Sequence, residues 1–203
     1  MSESSNRWTV DLTLPRNYEV EVLPQIPLPS DTQDRIVHFG QPPENVDRAL
    51  AVRVVPRTGL AWLGVIDGSY PSPPAACGAF SGPAAGSVCL AAGGEAVIVQ
   101  AANPDLCQYV TIDPVIEVRP VPLLPLLIFV GFTRIAGYGE TGPAWVTPEL
   151  SWDGITLGKI NGAILSGFAW DAPHGRRVEF EVDLRTGDHK GGAAPSMRAR
   201  PVP

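Results

Sequence analysis

The three histidines of the chain, His38, His174 and His189, are the first candidates for catalysis or metal binding. No two of them are closer than 15 positions, so the sequence lacks the short spacings that mark a zinc site. His38 lies in an apolar run that predicts a strand, whereas His174 and His189 lie in predicted turns. We expect one packed histidine and two surface histidines, and a site assembled from distant residues stays open.

The three cysteines are the next candidates, as nucleophiles. Cys77, Cys89 and Cys107 do not stand at a predicted helix start or a strand-to-helix elbow, where the pKa of a thiol is lowered. Cys89 lies in an apolar run and is predicted to be a buried side chain, and Cys107 is interpreted in the same way. Because the count is odd, a framework of disulfides is not expected.

The acidic residues Glu179, Glu181 and Asp183 are spaced two apart and alternate with apolar residues. This spacing places all three on one face of a strand, and it favours a solvated face over an acid–base pair. The chain has no Gly-x-Ser-x-Gly elbow, and Gly93-Gly94 lacks the further glycines and the following helix of a phosphate loop. The sequence therefore assigns no catalytic residue, metal ligand or cofactor.

Three tryptophans, Trp145, Trp152 and Trp170, fall within 26 residues. Large aromatic side chains usually pack in the core of a β domain, and we expect this for all three. One of them on the surface would form a platform for a ligand or a partner protein.

Composition excludes several classes of function. Hydrophobic residues make up 44% of the 203 residues and charged residues only 18%, which is enough for a core and rules out a disordered polyelectrolyte. The net charge of −6 offers no basic surface for nucleic acid. The most apolar run, 123–132, is about half the length of a membrane span and contains Pro125. No signal peptide is visible, so a cytoplasmic protein with reduced thiols and no transmembrane segment is expected.

The elements that must position these residues are predicted to be short strands. Proline (22 residues) and glycine (21 residues) separate alternating segments throughout the chain, which indicates an all-β fold. Asn161-Gly162 between two apolar runs predicts a hairpin. We interpret the proline-rich stretch 71–86 as a surface loop and residues 103–105 as a turn.

The sequence Gly-x-Ala-Trp occurs three times, at 59–62, 142–145 and 167–170. Such recurrence suggests duplicated sheets or propeller blades. Because the spacings are irregular, we favour an antiparallel two-sheet sandwich or partly open barrel, with propeller-like blades as the alternative.

The chain is predicted to divide into an extended proline-rich amino-terminal arm (1–33), an all-β domain (34–193) and a flexible tail (194–203). The arm has two alternating segments, 8–14 and 18–23, followed by a stretch that its prolines make polyproline-like. We expect the arm either to add a strand to the edge of the domain or to reach a partner protein. Its candidate partner-binding residues are Trp8, Tyr18, Pro24, Ile26, Pro27 and Pro29.

The segments Leu-Ser-Trp-Asp-Gly (150–154) and Phe-Glu-Val-Asp-Leu-Arg-Thr-Gly (180–187), with Gly93-Gly94 before Ala96-Val-Ile-Val99, resemble a family of uncharacterised bacterial all-β proteins. The resemblance covers roughly residues 60 to 193 and excludes the arm. It implies an all-β fold and a bacterial origin, and it carries no established activity.

The sequence favours a non-catalytic protein-interaction module, an accessory or scaffolding subunit of a larger bacterial assembly, which binds its partner through the arm. A stiff, proline-rich arm loses little entropy when it is ordered on a partner. The alternative is a small-ligand or hydrolytic site in the loops that join the sheets. That site would use Asp67, Asp171, His174 or Arg176.

Overall fold

The computed structural model describes residues 8–40, 43, 46–68 and 75–193. Within these residues the chain forms seventeen β-strands and two 3₁₀ turns, Val46–Arg48 and Ala172–His174. The expected all-β fold is confirmed. No helix in the described part of the chain has the length and apolar character needed to cross a membrane.

The strands form four sheets, which follow one another along the chain with some interleaving at the start. Sheet 1 has the spatial order β2 (Tyr18–Leu23), β4 (Leu50–Pro56), β5 (Trp62–Ile66), β3 (Arg35–Phe39). Sheet 2 has the order β1 (Thr9–Asp11), β6 (Gly78–Ser81), β7 (Ser87–Ala92), β8 (Glu95–Gln100), β9 (Asn103–Tyr109).

Sheets 3 and 4 are simple meanders. Sheet 3 contains β10 (Glu117–Val121), β11 (Leu126–Val130), β12 (Ile135–Gly139) and β13 (Gly142–Val146). Sheet 4 contains β14 (Ile155–Asn161), β15 (Ile164–Asp171), β16 (Arg176–Asp183) and β17 (His189–Gly191). Neighbouring strands are antiparallel except for the parallel pairs β1–β6 and β3–β5, and none of these four sheets closes into a barrel.

The four sheets stack face to face, because three separate hydrophobic clusters lie between consecutive sheets. The first cluster joins sheets 1 and 2, the second joins sheets 2 and 3, and the third joins sheets 3 and 4. The structure therefore has four sheets in place of the two expected for a sandwich. The strands have only three to eight residues, and most are followed within a few residues by proline or glycine, so each sheet is small and forms a core by packing against the next one.

The two halves of the stack repeat one another. Gly59–Trp62 and Gly142–Trp145 lie 83 residues apart, and the two glycines have nearly the same positive φ, +113° and +112°. Trp62 Nε1 donates to the carbonyl of Ala101 at 2.8 Å, and Trp145 Nε1 donates to that of Leu184 at 2.8 Å, 39 positions further on in both cases. Sheets 3 and 4 thus repeat the relation between sheets 1 and 2.

Two sequence interpretations of the middle region are wrong. Within the predicted loop 71–86, Gly78–Ser81 is the buried strand β6, while residues 71–74 lie outside the described part of the chain. A Cβ at Gly78 would collide with the backbone of Thr9, so the small residues that suggested a loop instead allow β1 to approach. Residues 103–105, interpreted as a turn, begin strand β9 after a register shift at Val99/Gln100.

The predictions for the carboxy-terminal hairpins are confirmed. Asn161-Gly162 lies at the turn between β14 and β15, and Gly162 has φ +60°. In β16 the side chains of Phe180 and Val182 are buried, whereas Glu179 and Glu181 are exposed.

Candidate functional site

Two of the six predicted partner-binding residues belong to the protein's own core. Trp8 is half-buried and packs against the cluster between sheets 1 and 2. Tyr18 is buried; its hydroxyl donates to the carbonyl of Ser87 at 2.6 Å and accepts from the amide of Gly82 at 3.4 Å. Burial raises the pKa of Tyr18 to about 12. Tyr18 therefore fixes β2 in the fold, and its side chain is not on the surface.

Residues 9–23 of the arm contribute two strands to the sheets, which is one of the two roles expected for the arm. Strand β1 pairs with β6, and strand β2 pairs with β4 over its whole length. The other four candidate residues follow β2 on the surface, with Pro24 and Pro29 exposed and Ile26 and Pro27 half-buried.

Residues 24–34, called the cap segment here, join β2 to β3, which are the two opposite edges of sheet 1. Leu63 and Val65 point away from sheet 2, because they alternate with Trp62 and Ile66 of the first cluster, yet both are only 1% exposed. Arg53, on the same outward side, donates from Nε to Oδ2 of Asp34 at 2.6 Å. The cap segment therefore covers the outward face of sheet 1.

The outward face of sheet 4 is different, because its aromatic side chains are exposed. Phe168 and Trp170 lie on β15, a central strand of the sheet, and are 39% and 38% exposed. Their neighbours Leu165 and Ala169 point inward and are buried. Trp152, also exposed, lies beside them and donates its backbone N–H to the carbonyl of Trp170 at 3.1 Å. We call this surface the open face.

Charged side chains of β16 flank the aromatic pair on one side. In the register of β16 with β15, Arg177 pairs with Trp170, Glu179 with Phe168 and Glu181 with Ser166. All three charged residues are exposed. The open face therefore has an aromatic centre and an adjoining charged row.

On the other side of β15, the bulge in β14 places two residues, Gly158 and Lys159, opposite Ser166. Lys159 is exposed and level with Ser166, whose hydroxyl donates to the Lys159 carbonyl at 3.1 Å. Lys159 and Glu181 thus flank the same residue of β15 from opposite sides.

The concavity at the open face is too small for a typical ligand. A depression of about 170 Å³ is lined by residues that include Asp153, Thr156, Trp170 and Arg177. Small-molecule pockets usually measure about 300–1,000 Å³. A groove of about 820 Å³ runs along the β1–β2 connection, but it is widely open, and Arg16 within it already donates to the carbonyl of Leu12. The geometry of the open face suits a broad partner surface.

Three of the four residues proposed for a loop site come together. Nδ1 of His174 lies 2.8 Å from Oδ2 of Asp171, and Nε of Arg176 donates to the same oxygen at 3.4 Å. The contact with His174, followed by that with Arg176, lowers the pKa of Asp171. Asp67 lies after β5, in sheet 1, and so at the other end of the stack.

This cluster spans the turn between β15 and β16, and its interactions stabilise that turn. The carboxylate of Asp171 orients the ring of His174, whose side chain is largely exposed. Nowhere in the described ranges do three or more His, Cys, Asp or Glu side chains come together in a way that could hold a metal ion.

The individual predictions for cysteine and histidine have mixed outcomes. Cys89 is buried as predicted, and burial raises the pKa of its thiol. Cys107 is exposed on the edge strand β9, so the prediction of a buried side chain is wrong. His38 lies in a strand, as predicted, but its side chain is exposed and not packed. His174 lies in a turn on the surface, as predicted. The prediction for His189 is wrong, because it begins strand β17 and is half-buried.

Of the three clustered tryptophans, Trp145 is buried as expected, but the core interpretation is wrong for Trp152 and Trp170. The sequence did contain a signal for Trp170. Trp170 and Phe168 are two positions apart, so their side chains lie on the same face of strand β15. Leu165 is an odd number of positions from both, so its side chain lies on the opposite, apolar face.

No protein-family model matches this chain, and no curated protein matches it as a relative. The likeness to uncharacterised bacterial all-β proteins therefore stays a prediction, and a function has to be argued from the geometry of the chain itself.

Proposed function

We propose that this protein is a non-catalytic interaction module, an accessory or scaffolding subunit, that binds a protein partner through the open face of sheet 4. The observation that carries the proposal is the exposure of Phe168 and Trp170 on the outward side of a central strand. Two large aromatic side chains in the middle of a sheet face are the feature expected of a contact surface.

The exposed aromatic surface of this face would contribute favourably to binding when a partner covers it. Covering the exposed part of each aromatic side chain removes about 80 Å² from water, which contributes about 2 kcal/mol for each ring system. Tryptophan and arginine are the residue types that most often dominate binding energy, and Trp170 lies directly beside Arg177. The mixture of aromatic and charged side chains is typical of interfaces that form and dissociate.

A catalytic role has less support from the same geometry. The polar groups of Asp171, His174 and Arg176 interact with one another within a turn. The depression beside Trp170 is shallow. In this proposal the cap segment, including Pro24, Ile26, Pro27 and Pro29, stabilises sheet 1, and the partner binds at the other end of the stack.

The proposal can be tested by capturing partners from cells of the source organism with purified full-length protein. The double variant Phe168→Ser/Trp170→Ser removes the aromatic centre, and Leu60→Ser is the matched control because Leu60 is 88% exposed at a distant site. We expect wild type and Leu60→Ser to capture the same proteins, and the double variant to lose them at least tenfold. Equal capture by all three would contradict the proposal.

A further inference from the structure

We infer that the partner that covers the open face is a second copy of this chain, bound sheet 4 to sheet 4. This inference rests on the proposed function, because it names the occupant of the same surface.

Each chain can form one such contact, because sheet 4 ends the stack with an uncovered face and sheet 1 does not. The three internal junctions bury both faces of sheets 2 and 3. The cap segment covers the outward face of sheet 1, where Asp34 holds Arg53 over the sheet. Sheet 1 of a second copy therefore has a covered outward face and does not offer sheet 4 a surface to pack against. Pairing of open face with open face closes after two copies, whereas head-to-tail stacking would continue into a filament.

The charges on the open face complement each other in this arrangement. A two-fold axis parallel to β15 lays β15 of one copy over β15 of the other, and β14 of one copy over β16 of the other. This symmetry does not shift residues along the strand direction. Lys159 and Glu181 both lie opposite Ser166, so Lys159 of one copy faces Glu181 of the other. The symmetry makes this contact twice, and Phe168 and Trp170 then pack near the axis.

The other way of pairing the two faces is less favourable. A two-fold axis perpendicular to the strands would lay β16 over itself. Level with Glu179, such an axis brings Glu179 of the two copies together, although Arg177 of each copy then lies opposite Glu181 of the other. The first arrangement pairs Lys159 with Glu181 and avoids the contact between the two Glu179 side chains. Face-to-face sheets lie about 10 Å apart, a distance that a lysine and a glutamate side chain together can span. The first arrangement is therefore the one that the charges favour.

The area of the face predicts a weak dimer. Three strands of seven or eight residues, about 25 Å long, and the three-residue β17, about 10 Å long, lie about 4.8 Å apart and give a footprint of roughly 400 Å² on each copy. Stable complexes bury about 800 Å² on each partner, and smaller interfaces belong to transient contacts. We expect a dissociation constant in the micromolar range, with dimer and monomer in exchange.

The experiment is sedimentation equilibrium of the purified full-length chain over a wide concentration range, with no other protein present. We expect a reversible monomer–dimer equilibrium in the wild type and in Leu60→Ser. We expect a monomer for Phe168→Ser/Trp170→Ser. The charge variants Lys159→Glu and Glu181→Lys should each weaken the dimer about tenfold, because each places like charges together across the axis.

The double charge variant separates this arrangement from other causes of weakening. Lys159→Glu combined with Glu181→Lys restores the opposite charges across the axis, so it should recover most of the wild-type affinity. Recovery supports the inference, and a double variant weaker than either single variant overturns it. Far-ultraviolet circular dichroism and thermal melting of each variant confirm that it is folded.

The failure of this inference can be told from failure of the proposed function. A wild-type chain that stays monomeric at every concentration overturns the inference. If that monomer still captures other proteins in a manner that needs Phe168 and Trp170, the open face binds a different partner and the proposed function stands. If the capture is also unaffected by the aromatic substitutions, both are wrong.

Discussion

Sheets 1 and 4 lie at the two ends of the stack, and the outward face of sheet 1 is covered whereas that of sheet 4 is exposed. On sheet 1 the outward side chains Leu63 and Val65 are almost completely buried, since the cap segment crosses over them. On sheet 4 the outward side chains Phe168 and Trp170 keep more than a third of their surface exposed. Both strands carry apolar residues on their outward sides, so the difference comes from what the rest of the chain places over them.

The internal repeat of the fold relates the open face of sheet 4 to a covered face of sheet 2. Sheet 2 in the first half of the fold corresponds to sheet 4 in the second half. With the 83-residue offset of the repeat, Ala96 corresponds to Glu179, so the cross-strand pair Ala91–Ala96 corresponds to the pair Phe168–Glu179. Ala91 and Ala96 are buried against sheet 3. Small apolar residues thus lie where two sheets pack permanently, and an aromatic ring beside a charge lies where the face is open. The latter composition suits a contact that can dissociate.

The largest expected effect comes from shortening a side chain under the cap segment. Leu63→Ala should lower the free energy of unfolding by about 2–4 kcal/mol, because it loses buried apolar surface and leaves a cavity that its neighbours fill only in part. Phe168→Ala on the open face should lower it by less, about 1 kcal/mol in the monomer, since only part of the ring is removed from water there. Urea titration at low protein concentration measures both.

The order of these two values is the critical result. If Phe168→Ala destabilises the monomer as much as Leu63→Ala does, then the two faces are covered to the same degree and the comparison between them is wrong. A variant of Leu60, which is highly exposed, serves as a second surface reference.

A smaller effect is expected when the ion pair that holds the cap segment is removed. Asp34 accepts from Nε of Arg53 at 2.6 Å, and the two side chains are partly shielded from solvent. Asp34→Ala should lower the free energy of unfolding by about 1 kcal/mol, the upper end for such pairs. The pair of Arg134 and Glu149 is more exposed and longer, so Glu149→Ala should cost less than about 0.5 kcal/mol.

Hydrogen exchange then locates the change. In Asp34→Ala the amides of residues 24–34 should exchange faster, because the segment is no longer held against Arg53, while the amides of β15 keep their wild-type rates. Uniform acceleration across all four sheets would mean that the pair stabilises the whole fold, and would contradict its role as a local tether.

The sequence predicted much of the local structure of this protein, and it did so where two-residue alternation and turn residues agree. The Asn161-Gly162 hairpin and the alternation of β16 follow from backbone and side-chain preferences within about ten residues of each other. The open face was not predicted, because core packing is the expectation for Trp152 and Trp170. The alternation of β15 places Phe168 and Trp170 on one side, but a strand pattern alone does not say which side another sheet will cover.

The features that the sequence did not predict depend on contacts between distant residues. Gly78–Ser81 looks like a loop because its residues are small, and it becomes a strand because β1, some 69 positions earlier in the chain, pairs with it. The sequence predicts an arm that either adds a strand to the edge of the domain or reaches a partner, and its prolines stiffen it. The structure uses the same stiffness to carry the chain from one edge of sheet 1 to the other.

The smallest expected effect concerns the edge of the open face, where Asp183 ends β16. Nη2 and Nε of Arg185 donate to its carboxylate at 2.6 and 2.9 Å, and together with the Arg185 backbone N–H they lower the pKa of Asp183 to about 2. Because the folded-state pKa lies below the ordinary value of about 3.9, the contribution to stability is complete above about pH 4. It is lost as the pH falls through about 2.

Titration of the side-chain carboxyl carbons by NMR checks this directly. The wild type should show Asp183 with a midpoint near 2, and Arg185→Gln should move that midpoint up towards the ordinary range, because the two guanidinium hydrogen bonds are removed. Arg134→Gln is the control, since Arg134 pairs with Glu149 in another sheet and should leave Asp183 unchanged. A wild-type midpoint near 4 would show that Arg185 does not hold the carboxylate. In that case Asp183 would join Glu179 and Glu181 as a free charge on the open face, and the balance of charges between two facing copies would have to be redrawn.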